Sequence, residues 1–305
     1  MQTILGAGGA VAIELAHELK KYTDKIKLVG RNPKKVNDDD EVFSANLLDK
    51  KLINDAVAGS DVVYLTAGLE YNIKVWRRDW PVIMQNVIDA CIAHNAKLVF
   101  FDNVYMYAPE EIPHMTEESR TAPATKKGKV RAELMKMIFD AIEKKNLTAM
   151  VTRSADFYGK NVKTGFLNIG VIDNFKKNKK AFWQSDANKI HSFTYIPDAA
   201  KAVALLANTP DAYNQVWHLP TSSQRWTGKE FINYIAKQMN VKQPRYYILS
   251  KFLLSLIGIF SPILKELKEM QYQNDRDYFF DSSKFEKKFM VQPTTYEKGI
   301  AHSIE

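Results

Sequence analysis

The feature that most limits what this chain can fold into lies at its first residues. Thr3-Ile4-Leu5 reads as a short strand that runs straight into the glycine turn Gly6-Ala7-Gly8-Gly9. The next segment repeats apolar residues at helical spacing, with Val11, Ile13, Leu15, Ala16 and Leu19 on one face. A strand, a tight turn and an amphipathic helix in that order bring backbone amides and the positive end of a helix to one point, which suits a pyrophosphate. The spacing is Gly6, Gly9, Ala12, because Val11 stands where a strict three-glycine pattern would place its last glycine. On this reading Gly6, Gly8, Gly9 and Ala10 contact a dinucleotide.

Strand-like runs recur at 26–29, 41–43, 61–65, 97–101 and 148–153, with helical patterns between them, one around 52–57 and a long one ending near His94. Continuous apolar strands alternating with helices predict an α/β fold, a doubly wound parallel sheet of the Rossmann-like kind. After Gly159 the rhythm loosens, and it resumes only over 190–218. Residues 1–159 and 190–218 are therefore expected to form the dinucleotide-binding domain. Residues 160–189 and 219–305 are expected to form a smaller C-terminal substrate-binding lobe.

The second strand speaks to the choice of dinucleotide. It ends Val29-Gly30-Arg31-Asn32-Pro33-Lys34-Lys35, with no carboxylate to bind a ribose 2′-hydroxyl. Arg31 instead offers a charge-assisted contact to a 2′-phosphate, with Asn32 beside it. This predicts NADP(H), with NAD(H) second.

Composition narrows the remaining classes. The single cysteine, Cys91, lies in an apolar helical stretch and reads as core. The glycine turn comes too early for a cleavable leader, and the apolar run 252–264 is shorter than the ~20 residues that span a bilayer. A cytoplasmic protein without membrane contact is expected. The net charge of +8 is spread along the chain, as in Lys176, Lys177, Lys179 and Lys180, so an anionic small molecule explains it better than nucleic acid. The six histidines show no metal-binding spacing, and no metal is expected. A monomer or homodimer acting on a small molecule is the simplest partner scheme.

An ordered series of segments then resembles one family. Asn46-Leu47 follows the third strand and Thr66-Ala67-Gly68 the fourth. Further on come Arg153-Ser154-Ala155-Asp156-Phe157-Tyr158-Gly159 and His191-Ser192-Phe193-Thr194-Tyr195-Ile196-Pro197-Asp198, and the chain closes with Asp281-Ser282-Ser283-Lys284, Pro293 and Gly299. Together these resemble the extended or atypical short-chain dehydrogenase/reductase superfamily, in its NAD-dependent epimerase/dehydratase branch. The resemblance places Asn46 and Leu47 beside the adenine, Thr66, Ala67 and Gly68 along the cofactor, and Ser154 near the nicotinamide.

The same resemblance locates the departures. The superfamily uses a Tyr-x-x-x-Lys pair in which the tyrosine moves the proton. Aligned on Lys129, the tyrosine position holds Thr125, and the usual serine position holds Asn103. Lys129 is then expected at the nicotinamide ribose. Asn103 and Tyr105 are expected to point the same way from an extended segment, with Tyr105 as proton donor, its acidity raised by a nearby lysine, and Tyr158 as the rival donor. The implied function is an NADP(H)-dependent oxidoreductase acting on a small carbonyl or hydroxyl compound. A non-catalytic NADP(H) sensor is one alternative. A nucleotide-sugar epimerase or dehydratase is the other, which the missing tyrosine places last.

Overall fold

The computed structural model describes residues 1–160, 162–250, 253 and 266–305. Its strands are β1 (Gln2–Leu5), β2 (Ile26–Gly30), β3 (Glu41–Ser44), β4 (Val62–Leu65), β5 (Lys97–Asp102), β6 (Ala149–Arg153), β7 (Asp156–Tyr158), β8 (Ala181–Gln184), β9 (Phe193–Tyr195), β10 (Val216–His218) and β11 (Tyr246–Leu249). Seven of them form one sheet in the order β3-β2-β1-β4-β5-β6-β10, and every pairing in it is parallel. The strands read as continuous apolar runs because both faces are covered. Leu5, Val29, Val63, Leu98, Phe100 and Val151 pack one way, under α2 (Lys50–Val57), α3 (Ile73–Ala93) and α4 (Lys126–Lys145). Ile4, Leu28, Tyr64, Val99 and Met150 pack the other way, under α1 (Ala10–Leu19) and α6 (Ile196–Ala207). The expected doubly wound sheet is present.

The chain winds outward from β1 in one direction and from β4 in the other, so the crevice beyond these two strands is the topological switch point, where such sheets bind ligands. Cys91 is fully buried in the α3 core, and burial pushes its thiol up to about 12. Among the described residues no helix is long and apolar enough to cross a membrane. The run 252–264 lies outside the described residues apart from Leu253.

A second core lies beyond the C-terminal ends of β5 and β6. The parallel pairs β7–β9 and β8–β11 join α5 (Asp173–Lys176), α7 (Gly228–Gln238) and the closing helix Tyr296–Ile304 around Tyr158, Trp183, Phe193, Phe231 and Tyr296. The helix Ser283–Phe289 returns to the large sheet, where Phe285 joins the α1–α6 core and Lys284 Nζ donates to the Val216 carbonyl at 2.8 Å.

Candidate functional site

The glycine turn has two kinds of glycine. Gly6 sits at φ +100°, and a Cβ there would lie 2.5 Å from the backbone of Ala67, so this position brings the β1 turn against the end of β4. The amides of Gly6 and Ala7 both donate to the Val29 carbonyl at 2.9 Å, which ties the turn to β2 as well. Gly8 and Gly9 face nothing within 4 Å. Gly9 is the N-cap of α1 and supplies no capping side chain. The amides of Ala10, Val11 and Ala12 therefore point outward without acceptors from their own helix, as first-turn amides do. Open space in front of two bare glycines and an uncapped helix start fits a pyrophosphate.

The other cofactor candidates ring this turn. Arg31 and Asn32 are exposed just past β2, and the Arg31 carbonyl is held by the Ser44 hydroxyl at 3.0 Å. Asn46 is exposed after β3 and uses its side-chain oxygen to accept from the Leu48 amide at 3.1 Å. The Leu47 carbonyl accepts from Asn86 of α3 at 3.1 Å. Thr66 is pinned to the Leu5 carbonyl through its amide at 2.9 Å, Ala67 lies under Gly6, and Gly68 is exposed. Ser154 is buried, and its hydroxyl donates to the adjacent Ala155 carbonyl at 2.6 Å.

The start of α4 departs from expectation. Thr125 is its N-cap, the hydroxyl accepting from the Gly128 amide at 3.0 Å. A threonine is well suited to that task, which gives the residue at the tyrosine position a structural occupation. Lys129 is exposed, while the buried face carries Lys127, Gly128, Val130 and Arg131. Two residues rotate a helix by roughly 200°, so a lysine at 129 turns away from the face that 127 and 131 share. Lys129 thus stands on the solvent side of α4, while Lys127 and Arg131 stand on its buried side.

These two cations are differently held. Lys127 is fully buried, pairs with Glu266 and with Glu269 at 3.2 Å, and lies 4.6 Å over the Tyr71 ring. Glu269 also accepts the Lys126 and Lys127 amides, and so covers the N-terminus of α4. Arg131 stacks on Trp80 and Trp76 at 4.3 and 4.8 Å and faces Asp102, the last residue of β5, at 3.3 Å. Burial pushes the Asp102 carboxyl up, against the opposing pull of Arg131 and Arg153. Trp76 and Trp80 thus hold a guanidinium and fill core rather than line an open pocket.

Residues 104–106 form a bend and turn, so the alternation assumed for an extended segment does not apply. Asn103 turns its side-chain oxygen onto the Tyr105 amide at 3.0 Å. Tyr105 stacks against Trp76 and brings its hydroxyl to 3.5 Å from that of Tyr71. Its phenol is pushed up to about 12, chiefly by burial and then by the charge of Asp156, against the opposing pull of Tyr71 and Arg131. Tyr158 is fully buried in the second core, where its hydroxyl abuts Gly299 of the closing helix. It packs there against the rings of Tyr195 and Tyr296.

Sequence reasoning missed a neighbouring pair. His191 Nε2 lies 2.9 Å from Asp156 Oδ2, linking the start of β7 to the segment before β9. Asp156 stands three residues after the end of β6, and its charge reaches Tyr71, Tyr105 and Tyr278 alike, opposing the ionisation of each. The available signal was that His191 and Asp156 sit inside two of the family-like segments, but only β7–β9 pairing makes them neighbours.

The glycine turn, the parallel sheet and the strand ends now meet their relatives. The profile of the NAD dependent epimerase/dehydratase family matches residues 3–219, and the chain belongs to that family. Solved structures with the same fold include a UDP-N-acetylglucosamine 4-epimerase from Bacillus cereus, at TM-score 0.77 and 17% identity over 99% of this chain and 94% of that one. A UDP-glucose 4-epimerase from Thermus thermophilus in complex with NAD aligns at TM-score 0.78 and 15% identity, over 100% and 98% of the two chains. A UDP-N-acetylglucosamine 4-epimerase from Methanobrevibacter ruminantium in complex with UDP-N-acetylmuramic acid aligns at TM-score 0.80 and 14% identity, over 99% and 96%. Among curated proteins no significant match is found.

Proposed function

We propose that this protein is a nicotinamide-dinucleotide-dependent enzyme that moves a hydride at a hydroxyl- or carbonyl-bearing carbon of a polar, sugar-like substrate. The observation that carries this reading is the gathering of ionisable side chains at the ends of β5 and β6. Tyr71, Tyr105, Asp156, Lys127 and Arg131 come from four separate segments and meet there, on the β4 side of the strand that carries the glycine turn. A purely structural sheet has no need for such a cluster, whereas functional sites collect such groups. The bound dinucleotide would supply a reversible hydride acceptor. Gly8, Gly9 and the α1 amides would hold its pyrophosphate, and Arg31 would favour NADP(H) over NAD(H).

The family relatives give nucleotide sugars more weight as substrates than the missing tyrosine alone suggested. The solved structures it resembles include UDP-sugar 4-epimerases, and the fold match spans nearly the whole chain. The test is a panel of nucleotide sugars and small carbonyl compounds, each with NADP(H) and NAD(H). Nicotinamide absorbance reports net oxidation or reduction, and chromatography of the sugar reports epimerisation or dehydration. Turnover of at least one compound is expected. A sensor is the second reading, favoured by the commitment of Thr125 to capping and of Lys127 to two glutamates. Dinucleotide binding with no turnover across the panel would establish the sensor and overturn the enzyme.

A further inference from the structure

We propose that Asp156 is the acid–base group of this site and that His191 is the positioning residue behind it. This rests on the enzymatic reading above and supplies what that reading lacks, a replacement for the absent tyrosine.

Exposure separates the two roles. The His191 side chain is only 3% exposed, whereas that of Asp156 is 33% exposed, so the carboxylate alone can meet a substrate. His191 is fixed on several sides. Its ring stacks on Tyr278 at 4.3 Å and 7°, lies against Phe193 at 4.6 Å, and meets Trp183 edge-on at 6.2 Å. Its amide donates to the Trp226 carbonyl at 3.0 Å. A ring held this firmly fixes the direction of its hydrogen bond to one oxygen of Asp156. Among the described residues the other oxygen has no side-chain hydrogen-bond partner.

The location supports the assignment. Asp156 follows the end of β6, and β6 pairs with β5 through Asp102 and Arg153. Its neighbour Phe157 packs on Phe101 of β5 at 5.4 Å. The carboxylate thus lies past the same strand ends as Tyr105. The neighbouring phenol is the poorer acid, since burial and the Asp156 charge hold it at about 12. Asp156, by contrast, presents a carboxylate that reaches solvent.

The step balances simply. Asp156 would take the O–H proton of a substrate hydroxyl as its carbon is oxidised to a carbonyl, and would return that proton when the carbonyl is reduced. The bound dinucleotide would supply the acceptor, and in reverse the donor, of the hydride from that carbon.

The experiment compares Asp156→Asn, His191→Ala and His191→Gln with the parent, using the compound turned over best in the panel. Asp156→Asn keeps an oxygen that can accept from His191 but cannot take a proton. It is expected to lower kcat by roughly 10²–10⁴, the range for losing a general acid or base. Dinucleotide affinity by fluorescence titration and the unfolding midpoint should stay at parent values. His191→Ala should lower kcat with little change in KM. His191→Gln, which retains a donor, should recover most of that loss. Parent-like kcat in Asp156→Asn overturns the assignment and leaves the enzymatic reading standing. Equal loss in His191→Ala and His191→Gln overturns the positioning role. A parent protein that binds dinucleotide and turns over nothing overturns the enzymatic reading and this assignment together.

Discussion

The β1–α1 turn and the start of α4 both begin helices at the C-terminal edge of one sheet, but they are built from different materials. The turn works through backbone. Gly6 packs on Ala67, Gly8 and Gly9 leave space, and no side chain caps the helix. The start of α4 works through side chains. Thr125 caps it, Glu269 covers its amides, and Lys127 and Arg131 are buried against carboxylates and aromatic rings. Backbone recognition survives wide changes in sequence provided the glycines remain. Side-chain chemistry depends on register, and here the start of α4 commits its side chains to a cap and to ion pairs.

The sharpest way to break this contrast is at Gly9. Its φ of −77° is open to any residue and a Cβ meets nothing, so Gly9→Val should fold normally. It should nevertheless abolish dinucleotide binding, because the side chain would fill the space left for the pyrophosphate. Calorimetric titration with NADPH checks this, and unchanged affinity would remove the turn from the site. Gly6→Val should do the opposite and lower the unfolding midpoint, since its Cβ has no room.

A smaller effect tests α4. Lys127→Ala strands Glu266 and Glu269, and should cost about 2–4 kcal/mol of stability, below the full cost of a buried orphan charge because both glutamates keep some water. Lys129→Ala, at an exposed position, should stay within about 0.5 kcal/mol. Urea unfolding of the two variants compares them directly, and equal losses would show that the Lys127 pairs carry no special weight.

Arg31 tests how far the turn's neighbourhood sets cofactor choice. Arg31→Ala should weaken NADPH by about tenfold to a hundredfold, the loss of one charge-assisted contact, and leave NADH unchanged. Equal affinity for the two cofactors in the parent protein would show that Arg31 does not select. The smallest change is expected at Tyr105. With its phenol held at about 12, Tyr105→Phe should alter kcat by less than about tenfold, and a larger fall would make this tyrosine a proton donor after all.

The sequence by itself determined the sheet and the turn. Apolar strands, helical spacing and Gly6-Ala7-Gly8-Gly9 are local patterns, and local patterns fix local conformation wherever burial on both faces demands it. The family-like segments were legible for the same reason. Only tertiary structure decided which side chains face the site. Lys129 and its neighbours Lys127 and Arg131 fall on opposite sides of α4, because a helix turns by more than half a revolution over two residues. Tyr158 could be judged only once the closing helix was seen to pack over it, and His191 reaches Asp156 only through the pairing of β7 with β9, across 35 residues of chain. Pairings between distant segments leave no periodic trace in a single sequence, so the chemistry of this site appears only when the lobe has folded onto the sheet.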